Sequence, residues 1–158
     1  MRELILLRHA HADASASEQD DAARPLSEEG AREARLAAQW LREQGLAPDR
    51  IVVSPARRTR ETADAVRREF GEVDLREEPG IYEASPGELA EIADRHRDAN
   101  RLLMVGHNPG LEQLAALMHS GQSGDYRGMP PGGIAVLRLP VDATIEPGVA
   151  DLVAFWWP

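Results

Sequence analysis

An α/β fold, a three-layer αβα sandwich with a mostly parallel central sheet and helices on both faces, is predicted by three features of the sequence. Short apolar runs at residues 4–7, 51–53 and 102–105 alternate with longer segments of helical period. Each run is apolar throughout, as in a strand covered on both faces. Each run also ends abruptly in polar or helix-starting residues: Arg8-His9, Ser54-Pro55 and Gly106-His107-Asn108-Pro109.

At 158 residues, with 42% hydrophobic and 28% charged residues, the chain is expected to form one domain, 1–158, with a single substantial core. Its 27 acidic and 18 basic residues give a net charge of -9, which argues against nucleic-acid or anionic-membrane partners. The absence of cysteine excludes disulfides, thiolate metal sites and cysteine nucleophiles. The first apolar run stops after four residues at Arg8, unlike a signal peptide, and no segment approaches the roughly 18 apolar residues of a membrane span. A soluble, cytoplasmic protein is the expectation.

In chain order, Leu4-Ile5-Leu6-Leu7 is the first strand, and Arg8 and His9 lie at its carboxyl end, where open α/β sheets bind ligands. Residues 12–23 are small and acidic without period, and read as a mobile loop. Ser27 is a helix N-cap, with Glu28 and Glu29 matched to the dipole and Gly45 as the stop. Residues 51–53 form a second buried strand. Ser54-Pro55 reads as an N-cap with proline at N1, opening a helix with Thr59, Thr62, Ala63, Val66 and Phe70 on one face. Arg57 and Arg58 in its first turn oppose the dipole, at about 0.3–1 kcal/mol each. They read as half of a phosphate clamp at a helix N-terminus, or else as solvated surface arginines.

A weak strand follows near residues 73–76, and Pro86 starts a helix with Leu89, Ile92 and Ala93 inward. His96, near its end, reads as a surface partner of the helix C-terminus, as does His119 in the next helix. Residues 102–105 repeat the logic of the first strand, ending at His107, with Asn108-Pro109 capping the helix that carries Leu111, Leu114, Ala115 and Met118. The Gly/Pro-rich segment 121–133 is long enough for a functional loop. Residues 134–139 and 152–156 are two final strands. Phe155-Trp156-Trp157 reads as a dimer contact or an anchored terminus.

Strands joined by right-handed crossovers share one direction, so the three polar ends fall along one sheet edge. Arginines and histidines gathered there, in an acidic chain, suit a phosphoryl group, because the planar guanidinium fork pairs two oxygens at once.

The segments LILLRHAHAD (4–13), RPLSEEG (24–30), IVVSPARRTRETA (51–63), IYEAS (81–85) and LLMVGHNPGLEQL (102–114) carry a resemblance to a known family. In this order they resemble the histidine phosphatase superfamily, of phosphoglycerate mutase-like fold, and most nearly its short SixA-like phosphohistidine phosphatases. Ala10 stands where the superfamily more often has glycine, a variant usual among SixA-like members, and the helical insertions of larger relatives are missing. The resemblance implies that His9 is a nucleophile that becomes phosphorylated, and that Arg8, Arg58 and His107 hold the non-bridging oxygens. Arg57 and Asn108 are further candidate substrate contacts. Glu83 aligns with the segment that supplies an acid in larger relatives, and is either that acid or a loop carboxylate. No cofactor or metal is implied. The implied substrate is a phosphohistidine protein, with a small phosphorylated molecule as the alternative. The loops at 12–23 and 121–133 are expected to rim the pocket, with Tyr126, Arg127 and Met129 reaching substrate.

Two other classes fit parts of the pattern. His9-x-His11, with Asp13 and His107, has the spacing of a metal-dependent hydrolase, although folds with that signature are typically barrels of about 250 residues. A noncatalytic phosphate-binding module would need the clamp but not both histidines.

Overall fold

The computed structural model describes residues 2–14, 18–125 and 128–158. Six strands, β1 (Arg2–Arg8), β2 (Arg50–Val53), β3 (Asp74–Glu77), β4 (Arg101–Gly106), β5 (Ile134–Leu139) and β6 (Asp151–Trp156), form one sheet in the order β3-β2-β4-β1-β5-β6. The β1–β4, β4–β2 and β2–β3 pairings are parallel. β5 is antiparallel to both β1 and β6, so it alone runs against the other five.

Four helices cover the sheet: α1 (Glu28–Glu43), α2 (Arg57–Phe70), α3 (Pro86–Arg95) and α4 (Gly110–Ser120). Successive strand side chains point to opposite faces. Ile5, Leu7, Ile51, Val53, Leu103 and Val105 therefore pack on Ala37, Ala38, Leu41, Ala63 and Val66 of α1 and α2. Leu4, Leu6, Val52, Leu102 and Met104 pack on Leu89, Ile92, Leu111 and Leu114 of α3 and α4. This is the αβα sandwich expected from the apolar runs, each fully buried Leu or Ile contributing about 1.5–3 kcal/mol.

Local chemistry sets the helix ends. Ser27 accepts from the Gly30 amide at the start of α1, and Gly45, at φ 69°, follows its end. Ser85 and Glu88 form a reciprocal capping box on α3. The other two helices start later than the Ser-Pro and Asn-Pro pairs predict. α2 begins at Arg57 behind Ala56, without a side-chain cap. Ser54 remains extended, its amide donating to the Val105 carbonyl at 3.2 Å. α4 begins at Gly110, one residue past Pro109, while Asn108 Oδ1 accepts from the Glu112 amide at 3.3 Å.

Two further expectations are corrected. His96 does cap the end of α3, but it is buried, not on the surface. Its Nδ1 lies 3.2 Å from Arg50 Nη1, and since a guanidinium can only donate, Nδ1 accepts and Nε2 donates to Glu78 at 2.7 Å. Arg50 is also forked onto Asp98 at 2.8 and 2.9 Å, so these side chains tie β2 to the end of α3, away from the strand ends that carry His9 and His107. The acidic segment after His11 is not wholly irregular. Ala12 bridges Leu26, and Glu18–Ala23 is a 3-10 segment kinked at Asp20.

Two of the three carboxyl-terminal aromatics pack on the fold. Trp156 stacks on Trp40 of α1 at 5.4 Å between ring centroids, and Phe155 packs against the α3/α4-side core, whereas Trp157 is exposed.

Candidate active site

Val53, Val105 and Leu7 lie in one row across β2, β4 and β1. The residues after that row, Ser54, Gly106-His107 and Arg8-His9, therefore leave the sheet side by side. They open into a cleft of about 650 Å³ whose walls include Arg8, His9, Asp21, Arg24, Arg58, Tyr82, Glu83, His107 and Asn108.

His9 is held from both sides of its peptide. Its amide donates to the Gly106 carbonyl at 3.0 Å, and its Nδ1 lies 2.7 Å from the Ala10 carbonyl. A carbonyl can only accept, so Nδ1 carries the proton and the lone pair is on Nε2. Ala10 is fixed in turn. It is fully buried with Ala34 and Ala65, and its amide donates to Thr62 Oγ1 at 3.1 Å. Gly30 completes the support, because α1 passes so close to His11 that a Cβ there would stand 1.9 Å from the His11 carbonyl oxygen.

The rings of His9 and His107 are 5.3 Å apart, and Tyr82 meets His107 edge-on at 5.4 Å. Burial, followed by the charges of Arg58, Arg8 and Arg24, pushes His9 down to about 4, against the opposing pull of the Ala10 carbonyl. Burial, then His9 and Arg58, takes His107 down to about 3. Both imidazoles are consequently neutral at pH 7. His107 Nε2 is 2.8 Å from Ser54 Oγ, while its buried Nδ1 has no hydrogen-bond partner among the described residues.

Arg8 donates through Nη1 to the Met129 carbonyl at 2.8 Å. Arg58, on the first turn of α2, is buried and donates to Asp21 through both terminal nitrogens, to the carbonyl at 2.7 Å and the carboxylate at 3.1 Å. The Nε atoms of both arginines are buried without a partner among the described residues.

Arg57 is not brought into the cleft. It is exposed and faces Glu61 at 3.5 Å, because neighbouring helix residues point about 100° apart and only one of the pair can face inward. Asn108 lines the cleft, but its amide is turned to the Met129 carbonyl at 2.9 Å and to Glu112 at 3.2 Å, bracing the 121–133 loop. Glu83 lines the cleft as an exposed side chain and, among the described residues, is the one non-glycine with positive φ, at 57°. Such a conformation costs roughly 1 kcal/mol and must be held by its surroundings.

Met129 contributes its backbone to the site, because its side chain is buried in the core. Tyr126 and Arg127 lie outside the described residues. The His9-x-His11 pair does not converge, since His11 is exposed with its Nδ1 on Ser27 Oγ at 2.7 Å. Among the described residues no group of three His, Asp or Glu side chains is placed to hold a metal ion.

Four site residues escape a reading of sequence patterns. Ser54 looks like a helix cap but meets His107. Arg24 looks like the end of a loop but lines the cleft, and Tyr82 stands in a motif without a chemical signature. Asp21 is one acid among several, and nothing in its neighbours distinguishes it. It accepts from Tyr82 Oη, from Arg58, and from Arg24 at 3.1 Å. The Tyr82 hydroxyl, with Arg24 and Arg58, holds the Asp21 carboxyl at about 2, so it is ionised throughout the working range. In a chain of net charge -9, the cleft is thus a local concentration of guanidinium groups around two neutral imidazoles. That arrangement suits a tetrahedral oxyanion.

Comparison with known proteins agrees with this chemistry. Residues 4–104 match the model of the histidine phosphatase superfamily, branch 1. An uncharacterised Mycobacterium tuberculosis protein, Rv1276c, is 37% identical over 144 residues, covering 85% of this chain and 89% of its own. The phosphohistidine phosphatase SixA of Escherichia coli is 39% identical over 64 residues, 40% of this chain and 38% of its own. Among solved structures, a SixA phosphohistidine phosphatase candidate from Agrobacterium tumefaciens superposes with a TM-score of 0.85 at 29% identity, covering 99% of this chain and 98% of that one. The protein histidine phosphatase SixA complexed with tungstate shares the fold, with a TM-score of 0.82 at 23% identity over 98% of this chain and 96% of its own. The chain belongs to the histidine phosphatase superfamily, within its SixA-like group.

Proposed function

We propose that the protein removes phosphoryl groups from phosphohistidine side chains of a protein substrate by way of a covalent phosphohistidine on His9. The observation that carries this reading is the 2.7 Å contact between His9 Nδ1 and the Ala10 carbonyl, which places the lone pair of a neutral ring on Nε2. That nitrogen can attack phosphorus without prior loss of a proton, and covalent catalysis divides one difficult displacement into two. In the first step the His9 Nε2–P bond forms, the bond from phosphorus to the leaving nitrogen breaks, and the departing imidazole takes up a proton. In the second step water attacks phosphorus, the Nε2–P bond breaks, and inorganic phosphate leaves.

Arg8, Arg58 and His107 stabilise the charge spread over the transferring oxygens. Glu83, on the cleft wall, is the carboxylate assigned to proton transfer. That role is light when the leaving group is an imidazole, with a reference pKa of about 6.5, and heavy when it is an alcohol at about 15 or more.

The test compares a phosphohistidine protein, phosphoramidate and common phosphoesters as substrates, with acid-labile radioactive phosphate trapped on the enzyme. Phosphohistidine should give the highest kcat/KM, with label that disappears in His9→Ala. Preference for a phosphomonoester would replace the phosphohistidine substrate, and undiminished turnover by His9→Ala would remove the covalent step.

A further inference from the structure

The outer edge of Arg58 is already occupied. Nη1 is taken by the Asp21 carbonyl at 2.7 Å and Nη2 by the Asp21 carboxylate at 3.1 Å. The same carboxylate accepts from Tyr82 Oη on one oxygen and from Arg24 Nη1, at 3.1 Å, on the other. An aspartate ringed by two guanidinium groups and a phenol uses the donor types that bind a phosphoryl group, and guanidinium forks fit carboxylate and phosphate alike. Asp21 takes one N–H from each terminal nitrogen of Arg58, so an oxyanion seated on that same edge of the guanidinium has to replace it.

We propose that Asp21 is a resident anion that fills the Arg58 end of the cleft in the empty enzyme and is displaced when a phosphoryl group enters. The proposal rests on the reading that this cleft takes phosphoryl groups.

The local structure permits the exchange. The Asp21 side chain is 40% exposed, so its route to solvent is open, whereas that of Arg58 is only 8% exposed and cannot leave with it. Asp20, immediately before it, has φ -102° and ψ 19°, so the 3-10 segment is already broken next to Asp21. Asp21 also raises the proton affinity of His107, so its charge reaches the phosphoryl side of the cleft. A dianion brings twice the charge of the carboxylate to the same donors, which favours the replacement. While Asp21 is seated the binding-competent form is a minority, and ligand affinity falls by that fraction. Displacement would release Nη1 of Arg24 together with the terminal nitrogens of Arg58, while Arg24 Nε stays on the Asp13 carbonyl at 2.8 Å.

The test measures tungstate affinity by calorimetry on the unaltered protein, Asp21→Asn and Tyr82→Phe. Asp21→Asn removes the resident charge, and Tyr82→Phe removes one of its donors while keeping the ring against His107. Both should bind tungstate more tightly, Asp21→Asn by about ten-fold and Tyr82→Phe by about three-fold, as expected when a competing state is depopulated. Tightening in Asp21→Asn alone means that the carboxylate stays seated and merely repels the ligand, which overturns the proposal. Unchanged or weaker binding in Asp21→Asn also overturns it, making Asp21 a positioning residue for Arg58. If the unaltered protein and both variants bind no tungstate, the phosphoryl reading of the cleft fails and the resident anion with it. Binding by the unaltered protein without tightening in the variants defeats the resident anion alone.

Discussion

His9 donates its Nδ1 proton to the carbonyl of the next residue, Ala10, at 2.7 Å, so the turn that ends β1 leaves the lone pair of the ring on Nε2. Ala10 is immobilised by Thr62 and by the alanines of α1 and α2. The tautomer of His9 therefore depends on the packing of two helices.

Replacing His9 by alanine should abolish turnover, with a loss of at least about 10³-fold, as when a covalent nucleophile is removed. Acid-labile phosphate incorporation should disappear while thermal unfolding remains cooperative. Labelling of His9→Ala at another residue would show that the nucleophile is elsewhere.

The two arginines of the α2 first turn should behave differently. Arg58→Ala removes a buried guanidinium from the cleft and should lower kcat/KM by about 10²–10³-fold, the usual effect of losing a group that stabilises developing charge. Arg57→Ala removes an exposed pair with Glu61, worth less than about 1 kcal/mol, and should alter activity by no more than a few-fold. Steady-state kinetics on both variants checks the register, since equal losses would mean that both face substrate.

Ser54→Ala removes the hydroxyl 2.8 Å from His107 Nε2. It should cost about 1 kcal/mol of stability and about ten-fold in kcat through loss of ring orientation. Little change in kcat, measured beside the unfolding midpoint, would make the contact structural only.

Nuclear magnetic resonance titration of His9 should give a midpoint near 4 in place of the ordinary 6.5. The proposed attack needs an unprotonated ring, and the lowered pKa keeps His9 so well into acid, so its contribution to kcat/KM should persist until pH approaches about 4. The effect on stability follows from proton counting. Between about 6.5 and 4 the unfolded chain binds the proton that the folded one refuses, so stability falls as pH falls through that window. His9→Ala should make stability less dependent on pH there. A His9 midpoint at or above 6.5 would contradict the buried, cation-surrounded ring.

Gly30→Ala tests the support behind His9. Its Cβ would lie 1.9 Å from the backbone oxygen of His11, and backbone cannot rotate aside as a side chain can. The variant should lose about 1–3 kcal/mol, as overpacked sites do, and lose activity as the segment after His9 shifts. Denaturant unfolding together with kcat/KM measures both effects, and full activity at native stability would show that α1 moves independently of His9.

The sequence by itself determined the sandwich and the strand ends that bear Arg8, His9 and His107, while the family resemblance set Arg58 before Arg57. These features are written in short-range patterns: apolar runs, helical period, capping residues and motif spacing, each expressed within a few residues. Only the tertiary structure decided that Ser54 faces His107, that His96 is buried with Arg50 and Glu78, and that Asp21 and Tyr82 enter the cleft beside Arg58. Asp21 and Arg58 are 37 positions apart, and Asp21 and Tyr82 are 61 apart. Contacts across such separations depend on how α2 and the segments around it pack at the edge of the sheet, and a polar residue carries no mark of the partner that this packing will bring to it.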